Sequence, residues 1–338
     1  MQGITYEVGL FEPRDAAGVA ELFTEVYGSS YPQKIVYNPE QLITAFESRD
    51  NLPIVARTVS GRIIAYTAFY RSTPNRVLYE FGQTLVLPEY RKTAVFGLLS
   101  RYLAKTAPTL PDVEAAFCEN VCNHTDTQRA AVLFKYIEAA IEIDLMPEEA
   151  YKKEQSAAGR VSAVNMFRTF IPKPHTVYIP DRYSDYLHYI YEGFDDARTL
   201  IASTGELSSV QQTKTTAQIF DFARVARIAV HKAGIDFMES FSREEEAAFG
   251  RNALVIQVWL KSSWPWIGRA VDILRNKGYF FGGALPRWFD EDGLLMQKII
   301  GQPNWEGIHL YSPRAKTILE FVKNDWMDIP GVIDYDKN

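Results

Sequence analysis

The stretch TLVLPEYRKTAVFGLLSRYL at residues 84–103 constrains the fold more than any other part of the chain. An apolar run ends at Pro88, a short turn carries Arg91 and Lys92, and a helical pattern begins inside that turn. Proline interrupts strand pairing, and apolar residues at helical spacing restart regular structure at once. A helix that starts there points unpaired backbone N–H groups and its positive dipole end past the strand. Such a junction is a natural place for a phosphate or pyrophosphate.

The surrounding pattern predicts strands over residues 4–11, 77–87, 113–122 and 161–170, and a hairpin over 53–71 turning at Ser60-Gly61. Helices are expected from Pro13 and Asp15, from Pro39, after Phe96 and around Gln128, and a strand follows over 139–146. The order β-α-α-β-β-β-α-β-α-β-β predicts an α/β (α+β) fold: a mixed, mostly antiparallel central sheet flanked by helices. A chain of 338 residues has room for two cores. The proline-rich joint Ile171-Pro172-Lys173-Pro174 predicts domains over residues 1–172 and 173–338. The second half reads as an aromatic helix over 181–194, a polar surface loop over 203–216, and a strand over 223–230. It continues as a helix over 235–249, a strand over 253–261, a helix over 266–278, strands over 279–289 and 294–300, and a helix over 312–326. Both halves end in strand, helix, strand, strand, the mark of a diverged internal duplication.

A net charge of −6 excludes a general nucleic-acid binder. No run approaches 18 apolar residues, so no membrane partner is expected, and the first residues lack the basic and apolar regions of a signal peptide. Cys118 and Cys122, the only two cysteines, read as reduced thiols of a cytoplasmic protein. No metal centre is expected.

The junction resembles the cofactor loop of the GNAT acetyltransferase superfamily, V-x-P-x-Y-R-G-x-G-x-(G/A/F). Val86, Pro88, Tyr90, Arg91 and Phe96 match, while Lys92 and Ala94 replace the two glycines. The resemblance implies that Arg91, Lys92, Thr93, Ala94, Val95 and Phe96 bind the pyrophosphate of acetyl-CoA or another acyl-CoA. It implies that Leu85, Val86 and Leu87 pair with the pantetheine arm. Ala at a helical φ is more favourable than Gly; at a positive φ it would be strained. A second segment, residues 117–136, resembles the subgroup pattern G-E-x-V-x-x-H-x-x-S-Q-x6-G-F through Glu119, Val121, His124, Thr127 and Gln128. Lys135 stands at its Gly and Tyr136 at its Phe. The helix carrying Gln128 would lie against the cofactor.

Acyl transfer to an amine needs a base and an acid, because the free amine is scarce at neutral pH. Glu119 and His124 are the candidate bases; their alternatives are a buried carboxylate tied to backbone or to an arginine and a loop histidine packed on the next helix. Tyr136 is a substitute acid, because Phe134 occupies the position where the family often carries its tyrosine. Tyr27, Tyr31 and Tyr37, between the first two helices, would cover the acceptor by stacking and hydrogen bonding. Glu80 and Gln83 on the cofactor strand would face it. Residues 266–283 resemble the family's helix-to-strand segment, with Asp290 to Gly293 as the turn of a closing hairpin, but no basic glycine-bearing turn precedes them. The second half is therefore expected to be a GNAT-like domain without a cofactor site, serving support, homodimer formation or the wall of an acceptor cleft. The expected activity is acyl-CoA-dependent N-acylation of a small amine-bearing metabolite. The alternative is a degenerate, non-catalytic relative that senses acyl-CoA or mediates interactions.

Overall fold

Near-complete burial along two consecutive strands organises the first part of the chain. The computed structural model describes residues 6–29, 31, 33–151 and 157–330; residues 4 and 5 of the expected first strand lie outside these. It forms two compact units, Met1–Cys118 and Glu119–Asn338, and each is taken by itself below. In the first unit β1 (Tyr6–Leu10), β2 (Asn51–Thr58), β3 (Ile63–Tyr70) and β4 (Leu78–Val86) pair antiparallel in that order. β5 (Ala115–Val121) starts parallel to β4. Seven consecutive residues are buried in both β2 and β3, which requires cover on both sheet faces. α1 (Ala16–Tyr27), α2 (Pro39–Glu47) and α3 (Val95–Thr106) supply it, α1 packing on β3 and α3 on β2 and β3. Gly18 lets α1 approach closely, since a Cβ there would come 2.7 Å from Ile63 Cγ1. Asn38 caps α2 by accepting from the Gln41 N–H at 3.1 Å, and Pro39 fills its first position.

In the second unit the end of β5 leads into α4 (Asp126–Leu133) and the antiparallel strands β6 (Ile137–Met146) and β7 (Val161–Thr169). β8 (His175–Ile179), α5 (Ser184–Tyr191) and β9 (Arg198–Ala202) follow, β8 and β9 forming a parallel two-stranded sheet. Next come β10 (Lys214–Phe220), β11 (Val225–Lys232), α6 (Phe237–Gly250), β12 (Val255–Lys261) and α7 (Ile267–Asn276). The chain closes with β13 (Phe280–Leu285), β14 (Gly293–Ile299) and α8 (Pro313–Met327). β10 and β11 are antiparallel, β11 and β12 parallel, and β12, β14 and β13 antiparallel in turn. This repeats the succession of antiparallel β3–β4, parallel β4–β5 and the β6–β7 pair, helix for helix. β13 also pairs with β6 through Gly283↔Ala140. Gly283 has φ +129°, and a Cβ there would lie 2.3 Å from the Ala139 carbonyl oxygen, so this seam needs glycine. Leu145, Ala163, Ala223, Val225 and Val255 form one apolar cluster of this unit.

The architecture is the expected mixed, mostly antiparallel sheet flanked by helices. Three local expectations are corrected. β8 and β9 were not anticipated. β10 begins inside the expected polar loop 203–216: its largely exposed threonines and glutamine carry no apolar alternation, and it is held by pairing with β11 and by the Thr215 bond to Glu244 of α6. The strand expected over 279–289 stops at Leu285, because Arg287 and Asp290 adopt φ +58° and +79° and fold the chain into a turn. Among the described residues no helix is long and apolar enough to cross a membrane, and no group of three or more His, Cys, Asp or Glu side chains is placed to hold a metal ion. The proline-rich joint at 171–174 lies inside the second unit, between β7 and β8.

Candidate functional site

At the end of β4 the Leu87 N–H donates to the Ile64 carbonyl at 3.0 Å, and Pro88–Tyr90 makes one 3-10 turn. The Tyr90, Arg91 and Thr93 N–H groups donate to Leu87, Pro88 and Tyr90 in succession. Ala94 then starts α3 with φ −75° and ψ 0°. Neither Lys92 nor Ala94 has positive φ, so the turn closes without the family's glycines and without strain. Arg91, Lys92, Thr93 and Ala94 are exposed, Val95 is buried, and Phe96 is 40% exposed. Arg91 Nε donates to the Val86 carbonyl at 3.2 Å, which folds the guanidinium back over the strand end. Ala94 provides no side-chain cap, so the first N–H groups of α3 depend on solvent, on Thr93 Oγ1 (3.4 Å from the Val95 N) or on a ligand. Leu85, Val86 and Leu87 are buried. The parallel β4–β5 ladder runs only from Leu78↔Ala115 to Glu80↔Phe117.

β4 also carries a bulge. Between Ala68↔Gly82 and Tyr66↔Leu85 two residues of β4, Gln83 and Thr84, oppose the single Thr67. Gln83 takes φ +56°, a left-handed conformation rare for a side-chain-bearing residue and concentrated at functional sites. Tyr66 OH donates to Gln83 Oε1 at 3.3 Å, and Thr67 Oγ1 lies 2.8 Å from Thr84 Oγ1 and 3.2 Å from the Gly82 carbonyl. Tyr31 stacks near this group: its ring centroid is 4.9 Å from Phe23 and 5.1 Å from Tyr27, and Phe23 lies 5.2 Å from Tyr66. The Tyr31 N–H donates to Tyr37 OH at 3.0 Å. Burial, then Tyr27, Glu80 and Tyr37, pushes the Tyr31 hydroxyl well above the ordinary phenol range. Burial does the same to Tyr66. Tyr70 OH donates to Glu80 Oε1, in space left by Gly82, where a Cβ would sit 3.0 Å from that hydroxyl. The five residues expected at the acceptor, Tyr27, Tyr31, Tyr37, Glu80 and Gln83, therefore share one cluster of the first unit. Sequence reading missed Tyr66 and Tyr70; their spacing of four along a strand puts both on one sheet face.

The remaining expected residues belong to the second unit. Glu119 Oε1 accepts from Arg227 Nη2 at 2.9 Å, and Glu142 Oε1 accepts from the same nitrogen at 3.2 Å. Arg227 Nε donates to Gln257 Oε1 at 2.8 Å, and its guanidinium lies 5.6 Å from the Trp259 ring and 5.8 Å from the Phe220 ring. Glu119 thus takes the arginine-tied alternative. No local pattern announces Arg227, which comes from a strand far along the chain. His124 Nδ1 accepts from the Asp126 N–H at 3.3 Å, at the start of α4. Gln128 is buried. Its side-chain nitrogen donates to the Val121, His124 and His309 carbonyls at 3.1, 3.1 and 2.9 Å, and its oxygen accepts from the Tyr311 N–H at 3.0 Å. Both amide protons are engaged, so Gln128 braces the β5–α4 corner. Lys135 adopts φ +62° just after α4; the glycine of the family pattern falls on this left-handed helix end. Tyr136, next in the chain, is buried.

No family model and no curated protein matches the chain. Solved structures do. A spermidine/spermine N-acetyltransferase from Vibrio cholerae is similar at 11% identity and TM-score 0.38, over 49% of this chain and 92% of that one. The ribosomal-protein-S18-alanine N-acetyltransferase from Escherichia coli is similar at 14% identity and TM-score 0.38, over 50% and 96%. The ribosomal-protein-S5-alanine acetyltransferase from Vibrio fischeri is similar at 9% identity and TM-score 0.38, over 50% and 95%. Each of these matches covers about half of this chain and leaves the other half uncovered.

Proposed function

We propose that the protein is an acyl-CoA-dependent N-acyltransferase acting on a small amine, with cofactor and acceptor gathered along β4. The observation that carries this reading is that one strand bears both a left-handed bulge beside a tyrosine–carboxylate cluster and an unstrained basic turn into a helix. The residues fit the cofactor's pyrophosphate: the exposed turn offers Arg91, Lys92 and the first N–H groups of an uncapped helix. When bound, acyl-CoA supplies an acyl group activated as a thioester. Glu80 attracts the acceptor's ammonium and takes up its proton, and the faces of Tyr27 and Tyr31 favour a cation. Glu119 and His124 are the other candidate bases and Tyr136 the candidate acid. For Glu119 this requires exchange of its bond to Arg227.

The repeated strand succession supports reading residues 173–338 as a second domain of similar order that holds no cofactor. There the turn between β11 and α6 presents Asp236 in place of a cation. Its carboxylate accepts from the Thr213 N–H at 3.0 Å, Thr213 Oγ1 at 2.8 Å and Ser240 Oγ at 3.1 Å. A carboxylate at the start of α6, in place of the Arg and Lys of the β4–α3 turn, supports the reading that this turn does not hold a phosphate.

A second reading, acyl-CoA binding without transfer, is favoured by the engagement of Glu119 with Arg227. Thiol release from acetyl-CoA, followed across a panel of polyamines, amino acids and aminoglycosides, separates the two. The enzyme reading expects amine-dependent, saturable release that falls at least about tenfold in Glu80→Gln. Binding without release from any amine supports the second reading, and absence of binding sinks both.

A further inference from the structure

The C-terminal half carries a group of cations that acyl transfer does not use. β10 and β11 pair regularly from Phe220↔Val225 to Thr215↔Val230 and then slip: Lys214 stands opposite Lys232, and His231 is the extra residue. Bulges of this kind re-aim a side chain. Here His231 Nε2 lies 2.8 Å from Thr216 Oγ1. Thr215 bonds Glu244 of α6, so alternation puts Thr216 and the imidazole on the sheet face away from that helix. The parallel β11–β12 ladder ends at Ala229↔Trp259, while the strands run on to Lys232 and Lys261. Lys261 Nζ sits 5.4 Å over the Phe289 ring, and the His231 ring is 6.4 Å from the same ring.

Like charges directly opposite each other destabilise an antiparallel pair, and Lys214 stands opposite Lys232. Among the described residues no carboxylate lies within 4.0 Å of the ammonium groups of Lys214, Lys232 or Lys261. A chain of net charge −6 therefore groups these lysines beside His231 without a direct ion-pair partner among the described residues. Burial, then Lys261 and Lys214, holds the His231 imidazole below its ordinary range, so both lysines act on it. The carboxyl ends of parallel strands are where open α/β sheets take ligands.

We propose that His231, Thr216, Lys214 and Lys261 form a binding site for the phosphoryl dianion of a small molecule, at the carboxyl ends of β11 and β12. The full chain, labelled at histidine, is titrated with inorganic phosphate and with phenyl phosphate at constant ionic strength, and the His231 resonance is assigned through His231→Gln. The expected result is a saturable shift, weakened at least about tenfold in Lys214→Ser/Lys261→Ser and retained in Lys214→Arg/Lys261→Arg. Tighter binding of phenyl phosphate identifies an organic ester as the ligand; equal binding identifies free phosphate. A shift no larger than sodium chloride produces, or equal affinity in the folded serine variant, overturns the proposal. If the serine variant does not fold, wild-type saturation against the chloride control decides.

Discussion

Lys135 and Asp144 show how single residues hold backbone that their type does not favour. Lys135 sits at φ +62°, where glycine carries no Cβ penalty. Lys135→Gly is expected to raise stability by roughly 0.5–1 kcal/mol, read from urea unfolding midpoints at unchanged slope. Asp144 sits at φ +54° within a register shift of β6, and its carboxylate accepts from the Asn304 N–H at 3.2 and 3.3 Å. Burial pushes its pKa up to about 6, against the bonds from Asn304 and the charge of Arg160. The folded state therefore binds this proton more tightly than the unfolded chain does. Its contribution is full below the unfolded value near 4 and is lost as pH rises through about 6, to the extent of roughly 3 kcal/mol. Asp144→Asn is expected to flatten stability across that window and to be the more stable protein at pH 8. An unchanged pH profile would contradict this assignment. Arg227 is the counter-case: Arg227→Ala leaves Glu119 and the buried Glu142 facing each other. Thermal melting should show a loss of roughly 3 kcal/mol or more, largely recovered by adding Glu142→Gln.

Elements that bury a continuous apolar run or a helical stripe were legible in the sequence, and those held by partners were not. The β2–β3 hairpin, α3 and α7 follow directly from apolar spacing and turn residues. β10 does not, because an exposed strand with Thr-Thr-Ala-Gln has no pattern of its own. The lack of the two glycines of the GNAT pattern looked ambiguous in sequence, since Ala94 is favourable or strained according to a φ that only the fold decides. At φ −75° it is favourable. Ala94→Gly is accordingly expected to lower stability by roughly 0.4–1 kcal/mol, through the greater freedom that glycine gives the unfolded chain, and to change acetyl-CoA affinity by less than about threefold. A large gain in affinity would mean that the Ala94 methyl group obstructs the cofactor. The β6–β13 seam makes a stronger demand. Gly283→Ala drives a Cβ into the Ala139 and Ala140 backbone and should cost at least about 3 kcal/mol in chemical unfolding.

At the scale of the whole molecule, local signals predict a joint at 171–174, a stretch that lies inside the second unit, and the pairing of β6 with β13 joins residues far apart in sequence. Periodicity reports what a segment buries and not against what, and a local pattern resemblance could propose Glu119 as a base without finding Arg227. The cluster proposed for the acceptor was more legible, because Tyr27, Tyr31 and Tyr37 lie close together in sequence and Glu80 and Gln83 on one strand. The central claim is that the turn from β4 into α3 holds an acyl-CoA. The most direct test is calorimetric titration of acetyl-CoA into the full chain and into Arg91→Ala/Lys92→Ala, with thermal melting to confirm that both are folded. One-site binding, weakened at least about tenfold in the variant, is the predicted result. No binding to the wild-type chain, or equal affinity in the folded variant, would contradict the claim.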